Sequence, residues 1–164
     1  MIYGIGLGSN IGDRAGHVRA GIAFLKTVFK PGLRVSSLYE TSPVDCPPRS
    51  HDFINAAAEG DFDGEPPALY QLLKEFEQTR GERAGSGRNQ PRALDLDLLY
   101  GEEPFVSDRL VLPHPRLHLR RFVLEPLVQI HPDLVISGQT VGQLLANLKS
   151  VEAVRRLDGP LAGT

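Results

Sequence analysis

The sequence predicts an α+β sandwich, in which helices pack on an antiparallel β-sheet. Across residues 1–100, the spacing of the apolar residues changes between the period of a strand and that of a helix, in the order strand, helix, strand, strand, helix, strand. Glycine, proline and aspartate separate these segments, as turn-forming residues do. This βαββαβ order is the split β-α-β pattern of a ferredoxin-like fold.

The first strand is predicted over residues 2–7 and the first helix over residues 14–30. Residues 2–7 are β-prone and lead into the turn-forming Gly8-Ser9-Asn10. Asp13 can cap the helix, and Pro31-Gly32 ends it. The apolar residues of the helix recur at helical spacing: Val18, Ile22, Leu25 and Phe29.

The second and third strands are predicted over residues 33–40 and 53–62, joined by a loop of prolines and polar residues. Pro66 and Pro67 then begin a second helix, which ends near Arg80-Gly81. The apolar face of this helix consists of four residues: Leu69, Leu72, Leu73 and Phe76.

The fourth strand, residues 93–100, is the clearest one, because leucines and aspartates alternate along it. Residues 81–91 before it hold three glycines and no large apolar residue, so we expect a mobile loop there. After a loop through Pro113-His114-Pro115, we expect a C-terminal helical extension. Its basis is the apolar segment 122–130 and the capping-box spacing of Thr140 and Gln143.

The composition indicates one soluble globular domain over residues 1–164. The chain is 41% hydrophobic with a formal net charge of -2, and a domain of this length buries about 70% of its unfolded surface. Its single cysteine, Cys46, cannot form an internal disulfide. The N-terminus has no basic leader, so a cytoplasmic location is expected. No apolar run approaches the ~20 residues of a membrane helix, and the near-neutral charge disfavours a general nucleic-acid binder.

The arginines are clustered. Only four of the 18 Lys and Arg residues are lysine. Eight arginines fall in two stretches: Arg80, Arg83, Arg88 and Arg92, then Arg109, Arg116, Arg120 and Arg121. A GC-rich genome would explain the total but not the clustering, whereas the planar guanidinium fork suits phosphate oxygens.

Two carboxylates share one face of the fourth strand. Because side chains alternate along a strand, Asp95 and Asp97 project to the same side with Cα atoms ~7 Å apart. Such a pair can hold two Mg²⁺ ions about 3.5–4 Å apart. A short Asp-x-Asp pattern also occurs on ordinary exposed sheet faces. Arg92 and the arginine-bearing loop before it favour a polyphosphate site instead.

The predicted topology brings the polar strand ends to one edge of the sheet. In a βαββαβ sandwich the ends of the first and second strands, the starts of the third and fourth strands and the end of the second helix lie together. The residues at these points include most of the polar residues that have no place in a core: Gly8, Ser9, Asn10, Ser42, Pro43, Asn55, Glu77 and residues 92–97. This edge is therefore the candidate functional site.

Several common motifs are missing. The sequence has no Gly-x-x-x-x-Gly-Lys-Ser/Thr loop, and the glycines of Gly4-Ile5-Gly6-Leu7-Gly8 lie inside a strand, unlike those of a dinucleotide-binding loop. His114 and His118 have an i, i+4 spacing, but Pro115 between them disfavours a zinc helix. A phosphate-facing role suits His114 better.

The order and spacing of several short motifs resemble one family over residues 2–150. The motifs are Gly8-Ser9-Asn10, Phe53-Ile54-Asn55-Ala56-Ala57, Glu77, Pro91-Arg92-Ala93-Leu94-Asp95-Leu96-Asp97, Pro113-His114-Pro115-Arg116 and Arg120 to Leu127. Together they resemble the 6-hydroxymethyl-7,8-dihydropterin pyrophosphokinases of folate biosynthesis. The resemblance implies a ferredoxin-like fold, and transfer of the β,γ-pyrophosphoryl group of ATP to the pterin hydroxymethyl oxygen with release of AMP.

The resemblance also implies roles for individual residues. Asp95 and Asp97 would ligate two Mg²⁺ ions, and Arg92 and Arg83 would join them in catalysis. Six residues would bind ATP: Lys74, Arg88, Arg92, Arg109, His114 and Arg120. Six would bind the pterin, which would stack between the two aromatic rings: Thr41, Pro43, Val44, Phe53, Asn55 and Phe122. The expected partners are these two substrates, with no nucleic acid or membrane, and the expected state is a monomer.

The chain departs from the family pattern in the loop before the fourth strand. Arg88-Asn89-Gln90-Pro91-Arg92 stands where Arg-Trp-Gly-Pro-Arg is common, and Glu82 and Ala84 stand where arginines are frequent. Arg83 would compensate. Three other functions remain open from the residues alone: an RNA-binding sheet, a metal-dependent nuclease that uses Asp95 and Asp97, and an inactive relative that retains nucleotide binding.

Overall fold

The computed structural model describes residues 1–41, 52–81, 93–149 and 153–157. In chain order its elements are β1 (Ile2–Ser9), α1 (Arg14–Val28), β2 (Arg34–Val35), β3 (Tyr39–Thr41), β4 (Phe53–Asp61), α2 (Pro66–Thr79), β5 (Asp95–Gly101), β6 (Phe105–Val106), β7 (Val111–Leu112), α3 (Arg121–Ile130), β8 (Val135–Ile136), β9 (Gln139–Thr140), α4 (Val141–Asn147) and β10 (Val154–Arg156).

The main sheet has the predicted antiparallel topology. Its strands lie in the order β10, β3, β4, β1, β5, and β2 also pairs with β4. These pairings are antiparallel, and β5 forms one edge. The ferredoxin-like α+β prediction is therefore confirmed. None of the helices in the described ranges is long and apolar enough to span a membrane.

Alternation along β1 separates the two faces of the sheet. Tyr3, Ile5 and Leu7 point to the first face, where they form a core with α1 and α2. The glycines between them point to the second face. A Cβ atom on Gly4 would lie 2.1 Å from Tyr100 Cε1, so only glycine lets the Tyr100 ring lie on the strand.

Helix α1 confirms the predicted cap and apolar face. The Asp13 carboxylate accepts a hydrogen bond from Gly16 N–H at 3.1 Å. The four predicted core residues are buried. The helix ends at Val28 rather than at Lys30, because Phe29 is extended and Lys30 N–H donates to Asp61 O at 2.9 Å.

Helices α3 and α4 cover part of the second face. The predicted apolar segment 122–130 is α3, which packs along β4 and buries Leu124 and Leu127. The predicted capping box of Thr140 and Gln143 begins α4, with both of its hydrogen bonds present. A second apolar core, which includes Ala57, Leu99 and Tyr100, therefore lies on this face.

Four local predictions need correction. The strand predicted over residues 33–40 is two strands, because Ser37 N–H donates to the Gln129 side chain at 2.8 Å instead of to the ladder. Gly8 and Ser9 continue β1 rather than forming a turn. The β6–β7 hairpin was not predicted. The C-terminal extension is not purely helical, since β10 pairs with β3 at the edge of the main sheet.

Candidate active site

Three strands place polar residues side by side at one end of the second face. Gly8 pairs with Asn55 on one side and with Asp95 on the other, and Gly6 pairs with Asp97. We call this region the polar end, formed by Asn55, Asp95, Asp97, His114 and Arg120. The predicted convergence of strand ends is confirmed for these three strands, whereas Ser42, Pro43 and Arg92 lie outside the described residues.

Asp95 and Asp97 project from the same face of β5, as predicted. The leucines between and after them are buried, whereas both aspartates are partly exposed. Burial, and after it the Asp95 carboxylate, raise the pKa of Asp97 to about 7, against the lowering effect of Lys74 and Arg120. Negative charge therefore accumulates where the two side chains meet, and a cation there would stabilise both carboxylates.

The donor atoms of this pair fit Mg²⁺. Mg²⁺ prefers oxygen ligands and is commonly held by one or two carboxylates together with waters and substrate phosphates. Within the ranges that the structure describes, no three His, Cys, Asp or Glu side chains form a metal-binding group. The pair Asp95 and Asp97 therefore fits an ion that completes its coordination from a phosphate chain.

Lys74 and Glu77 of α2 reach the edge of the sheet beside this pair. Lys74 Nζ lies 3.8 Å from Asp97 Oδ1 and 2.9 Å from Glu77 Oε2. Burial lowers the pKa of Lys74, but Asp97 and Glu77 outweigh that effect, so the pKa lies above its usual value. The ammonium group is therefore charged at neutral pH and adds to the positive potential around the pair.

His114 is held in its neutral form. Its Nδ1 atom accepts a hydrogen bond from Arg116 N–H at 3.1 Å, so the ring proton resides on Nε2. Burial lowers the pKa of His114, and Arg120 and Arg116 lower it further. Its backbone N–H donates to Leu99 O at 2.7 Å, which fixes it to β5. An Nε2–H donor suits a phosphate oxygen without requiring a charged imidazole.

Three of the residues assigned to the pterin, Thr41, Phe53 and Asn55, lie on β3 and β4, across β1 from β5. Asn55 is 5% exposed, and its Nδ2 atom donates to Thr41 Oγ1 at 2.7 Å. A Cβ atom on Gly8 would lie 2.8 Å from Asn55 Oδ1, so the glycine leaves room for this amide. Phe53 and Phe122 are only half-buried, unlike ordinary core aromatics. The Arg120 guanidinium lies 5.5 Å from the Phe122 ring centroid.

The remaining predicted residues are Arg109, which the structure describes, and five residues that lie outside the described ranges. Arg109 is exposed in the connection between β6 and β7, where it makes no hydrogen bond or ion pair within the described part of the chain. Five predicted residues lie outside the described residues: Pro43, Val44, Arg83, Arg88 and Arg92. The expected mobile loop over residues 81–91 lies outside them too, apart from Gly81.

The sequence predicts Glu77 at this edge of the sheet but does not specify its contact. Its Oε2 atom accepts a hydrogen bond from Leu96 N–H, the residue between the two aspartates, at 2.6 Å. The i, i+3 spacing of Lys74 and Glu77 signals a pair on α2, and the predicted topology brings Glu77 near β5, but nothing in the sequence shows that the pair bonds to Leu96.

The site brings together two carboxylates that suit Mg²⁺, a lysine, an arginine and a neutral histidine on a ferredoxin-like fold. This combination is typical of enzymes that transfer phosphoryl groups. Residues 4–132 match the model of the 7,8-dihydro-6-hydroxymethylpterin-pyrophosphokinase family. The chain belongs to this family, whose members transfer a pyrophosphoryl group to hydroxymethyldihydropterin in folate biosynthesis.

Individual relatives agree with this assignment. The chain is 42% identical over 148 residues to a 2-amino-4-hydroxy-6-hydroxymethyldihydropteridine pyrophosphokinase of Methylorubrum extorquens, covering 88% of this chain and 91% of the relative. The Bacillus subtilis enzyme of that name is 41% identical over 132 residues, covering 77% and 75%. A crystal structure of HPPK-DHPS in complex with substrates shares the fold at TM-score 0.71 and 12% identity, covering 88% of this chain and 42% of that chain.

Proposed function

We propose that the polar end is where this chain transfers the β,γ-pyrophosphoryl group of ATP to the hydroxymethyl oxygen of 6-hydroxymethyl-7,8-dihydropterin. In this reaction the hydroxyl oxygen bonds to the β-phosphorus, the bond from that phosphorus to the α,β-bridging oxygen breaks, and AMP leaves as the hydroxyl proton is released. One observation carries the proposal. Gly8 pairs with Asp95 and with Asn55, so only a glycine without a side chain separates the carboxylates of β5 from the amide of β4.

Asp95 and Asp97 would hold two Mg²⁺ ions. When bound, Mg²⁺ supplies charge neutralisation for the triphosphate and for the oxygens of the bond that breaks. The proposal is supported by the oxygen donors, by their shared face and by the repulsion between the two carboxylates, which adds to the effect of burial in raising the pKa of Asp97. The two side chains are partly exposed, which leaves them accessible to a phosphate chain.

The triphosphate would lie against the positive groups that surround the aspartates. Lys74 and Arg120 both act on the charge of Asp97, and His114 presents an Nε2–H donor. Fixed donors and charges stabilise the charge that develops on the leaving AMP without reorganising during the reaction. Arg83, Arg88, Arg92 and Arg109 belong to the same proposal on the basis of the family resemblance.

The pterin would lie on the other side of β1. Asn55 is held by Thr41 and presents Oδ1 toward Gly8, so its orientation is fixed before a ligand arrives. The half-buried rings of Phe53 and Phe122 would stack on the flat heterocycle. Pro43 and Val44 complete the proposed pterin set, and the chain is proposed to act as a monomeric, single-domain enzyme of the cytoplasm.

The nature of the products tests this function. The purified protein is incubated with ATP, Mg²⁺ and 6-hydroxymethyl-7,8-dihydropterin, and the nucleotides are separated by chromatography. We expect AMP only when both the pterin and Mg²⁺ are present. ADP as the product, or AMP without pterin, would contradict pyrophosphoryl transfer, and ATP binding without any product would identify an inactive relative.

A further inference from the structure

Among the described residues, the backbone of β5 has no neighbouring strand on one of its sides at the point where the two aspartates lie. Strand β5 is at the edge of the main sheet formed by these residues, and it pairs there with β1. Leu96 lies between the aspartates, and an edge residue of this kind has an N–H and a C=O that need partners from outside the sheet. The orientation of the Leu96 peptide groups therefore depends on the side chains of α2 that contact them.

Two side chains of α2 satisfy both backbone groups of Leu96. Glu77 Oε2 accepts from Leu96 N–H at 2.6 Å, and Lys74 Nζ donates to Leu96 O at 2.9 Å. The two side chains also bond to each other at 2.9 Å, and they are only 27% and 13% exposed for Lys74 and Glu77. Hydrogen bonds to charged groups in such sheltered positions are stronger than neutral ones.

We propose that Glu77 and Lys74 act as a clamp, positioning Asp95 and Asp97 by holding the peptide groups between them. The inference rests on the proposed function of these aspartates as Mg²⁺ ligands. Side chains alternate along a strand, so a rotation of the Leu96 backbone would move both carboxylates at once. Holding Leu96 from both of its polar groups prevents that rotation. Glu77 is thus a positioning residue rather than a metal ligand.

The position of Lys74 strengthens this interpretation. Lys74 Nζ lies 3.8 Å from Asp97 Oδ1, farther than its 2.9 Å contacts with Glu77 and Leu96 O. Lys74 is therefore hydrogen-bonded to Glu77 and Leu96, and it interacts with Asp97 only as a nearby positive charge. Because Lys74 does not bond directly to Asp97, the carboxylate oxygens of Asp97 keep lone pairs available for a cation.

The decisive variant is Glu77→Ala, which removes the acceptor of Leu96 N–H and the partner of Lys74. Loss of a group that orients metal ligands changes metal affinity by about 10–100-fold, so we expect Mn²⁺ binding to weaken by about 10-fold. Mn²⁺ binding is measured by electron paramagnetic resonance in the presence of a non-hydrolysable ATP analogue. The Mg²⁺ concentration that gives half-maximal velocity should rise likewise, whereas the KM for the pterin should stay unchanged.

A conservative variant separates positioning from folding. In Glu77→Gln the amide oxygen can still accept from Leu96 N–H, but the charge that holds Lys74 is lost. We expect a smaller loss of Mn²⁺ affinity than in the alanine variant, and this variant decides the outcome if Glu77→Ala does not fold. Hydrogen exchange of the peptide containing Leu96 should be faster in both variants, most of all in the alanine variant.

The same helix offers a matched control. Gln71 Nε2 donates to Glu75 Oε1 at 2.8 Å on the exposed side of α2, away from the sheet. Glu75→Gln removes a carboxylate from the same helix without touching β5, so its Mn²⁺ affinity and its exchange at Leu96 should match those of the wild type.

Asp97→Asn distinguishes failure of the clamp from failure of the proposed function. If Asp97→Asn loses Mn²⁺ binding while Glu77→Ala and Glu77→Gln bind Mn²⁺ as tightly as the wild type, the clamp is wrong and the metal site stands. A lower melting temperature with unchanged Mn²⁺ affinity would likewise reduce Glu77 to a structural role. If Asp97→Asn itself binds Mn²⁺ normally, the proposed metal site is wrong, and the clamp is overturned with it.

Discussion

The second face of the sheet carries two groups of polar side chains whose charges are compensated in different ways. The polar end holds Asp95 and Asp97, which are partly exposed and repel each other. Four residues along β4 from Asn55, or about 13 Å away by strand rise, Glu59 is buried at 4% exposure. Glu59 accepts from Arg34 and from the Tyr100 hydroxyl, and lies 2.7 Å from His131 Nδ1.

The difference between them separates structural charge from functional charge. Burial raises the pKa of Glu59, but hydrogen bonds from Tyr100, His131 and Arg34 outweigh it and hold the pKa below its usual value. The oxygens of this buried carboxylate are thus already occupied by partners that the fold supplies. At Asp97, by contrast, burial and the Asp95 carboxylate raise the pKa, and Lys74 and Arg120 do not outweigh them. The carboxylate whose negative charge is only partly compensated is the one that fits a cation.

The largest expected effect comes from Asp97→Ala. Because this carboxylate is proposed to hold the Mg²⁺ that stabilises charge in the transition state, we expect the rate of AMP formation to fall by about 10²-fold or more. The melting temperature should stay near that of the wild type, since the side chain is partly exposed. The exposed Asp133→Ala serves as the control, with a wild-type rate. A wild-type rate in Asp97→Ala would contradict the metal assignment.

Glu59→Ala should reduce stability and leave substrate binding unchanged, the opposite of what is expected for Asp97→Ala. Removing the acceptor of the Tyr100 hydroxyl leaves a buried polar group unpaired, so the free energy of unfolding should fall by about 1–3 kcal/mol. At a temperature where the variant is folded, its KM values should match those of the wild type. Urea denaturation measures the first effect and the product assay the second. If Glu59→Ala lost ATP affinity without losing stability, Glu59 would have a functional role, and the contrast between Glu59 and the polar end would be wrong.

The pH dependence of stability sharpens the same comparison. The folded pKa of Glu59 lies below the usual value of 4.5, so this residue stabilises the fold above about pH 4.5 and loses that contribution as the pH falls through the folded pKa. The melting temperature of the wild type should therefore drop more steeply below pH 4.5 than that of Glu59→Gln. Parallel curves for the two proteins would show that the Glu59 hydrogen bonds do not favour its ionised form.

Asn55 should affect one substrate only. Asn55→Ala removes the side chain that is proposed to bind the pterin, and we expect the KM for the pterin to rise by about 10-fold while the KM for ATP stays unchanged. Thr41→Val keeps the shape but removes the hydroxyl that orients Asn55, so its effect on the pterin should have the same sign and be smaller. Equal increases in both KM values would show that Asn55 supports the whole site instead.

The smallest effect is expected at His114. His114→Ala should raise the KM for ATP by about 3–10-fold through the loss of one hydrogen bond. The pKa of His114 lies below its usual value of 6.5, so the imidazole is neutral at pH 7 and above. The increase in the KM for ATP should therefore be the same at every pH between 7 and 9. Steady-state kinetics across that range measure it. A factor that shrinks toward one as the pH rises would mean that a protonated imidazole binds the phosphate.

Features with a local pattern were predictable from the sequence. The cap at Asp13, the apolar face of α1 and the alternation around Asp95 and Asp97 are each encoded within a few residues, and the structure confirms them. The convergence of Asn55 with Asp95 followed from the order of the strands alone. Because the predicted strand order was correct, the sequence also indicated which strands bring their polar residues together at the site.

Long-range contacts between short segments could not be predicted. Glu59 and His131 are separated by 72 residues, and neither has a neighbouring pattern that points to the other. Strand β10 has only three residues, and it pairs with β3 more than a hundred positions earlier. The clamp at Leu96 depends on how closely α2 approaches the edge of the sheet. Side-chain packing sets that distance, and periodicity does not encode it.

A crystal structure with Mg²⁺, a non-hydrolysable ATP analogue and 6-hydroxymethyl-7,8-dihydropterin tests the central claim most directly. The account predicts two metal ions in contact with Asp95 and Asp97, a phosphate chain beside Lys74, His114 and Arg120, and a pterin next to Asn55. Metal ions held without either aspartate, or a phosphate chain bound at Arg34 and Glu59, would contradict it.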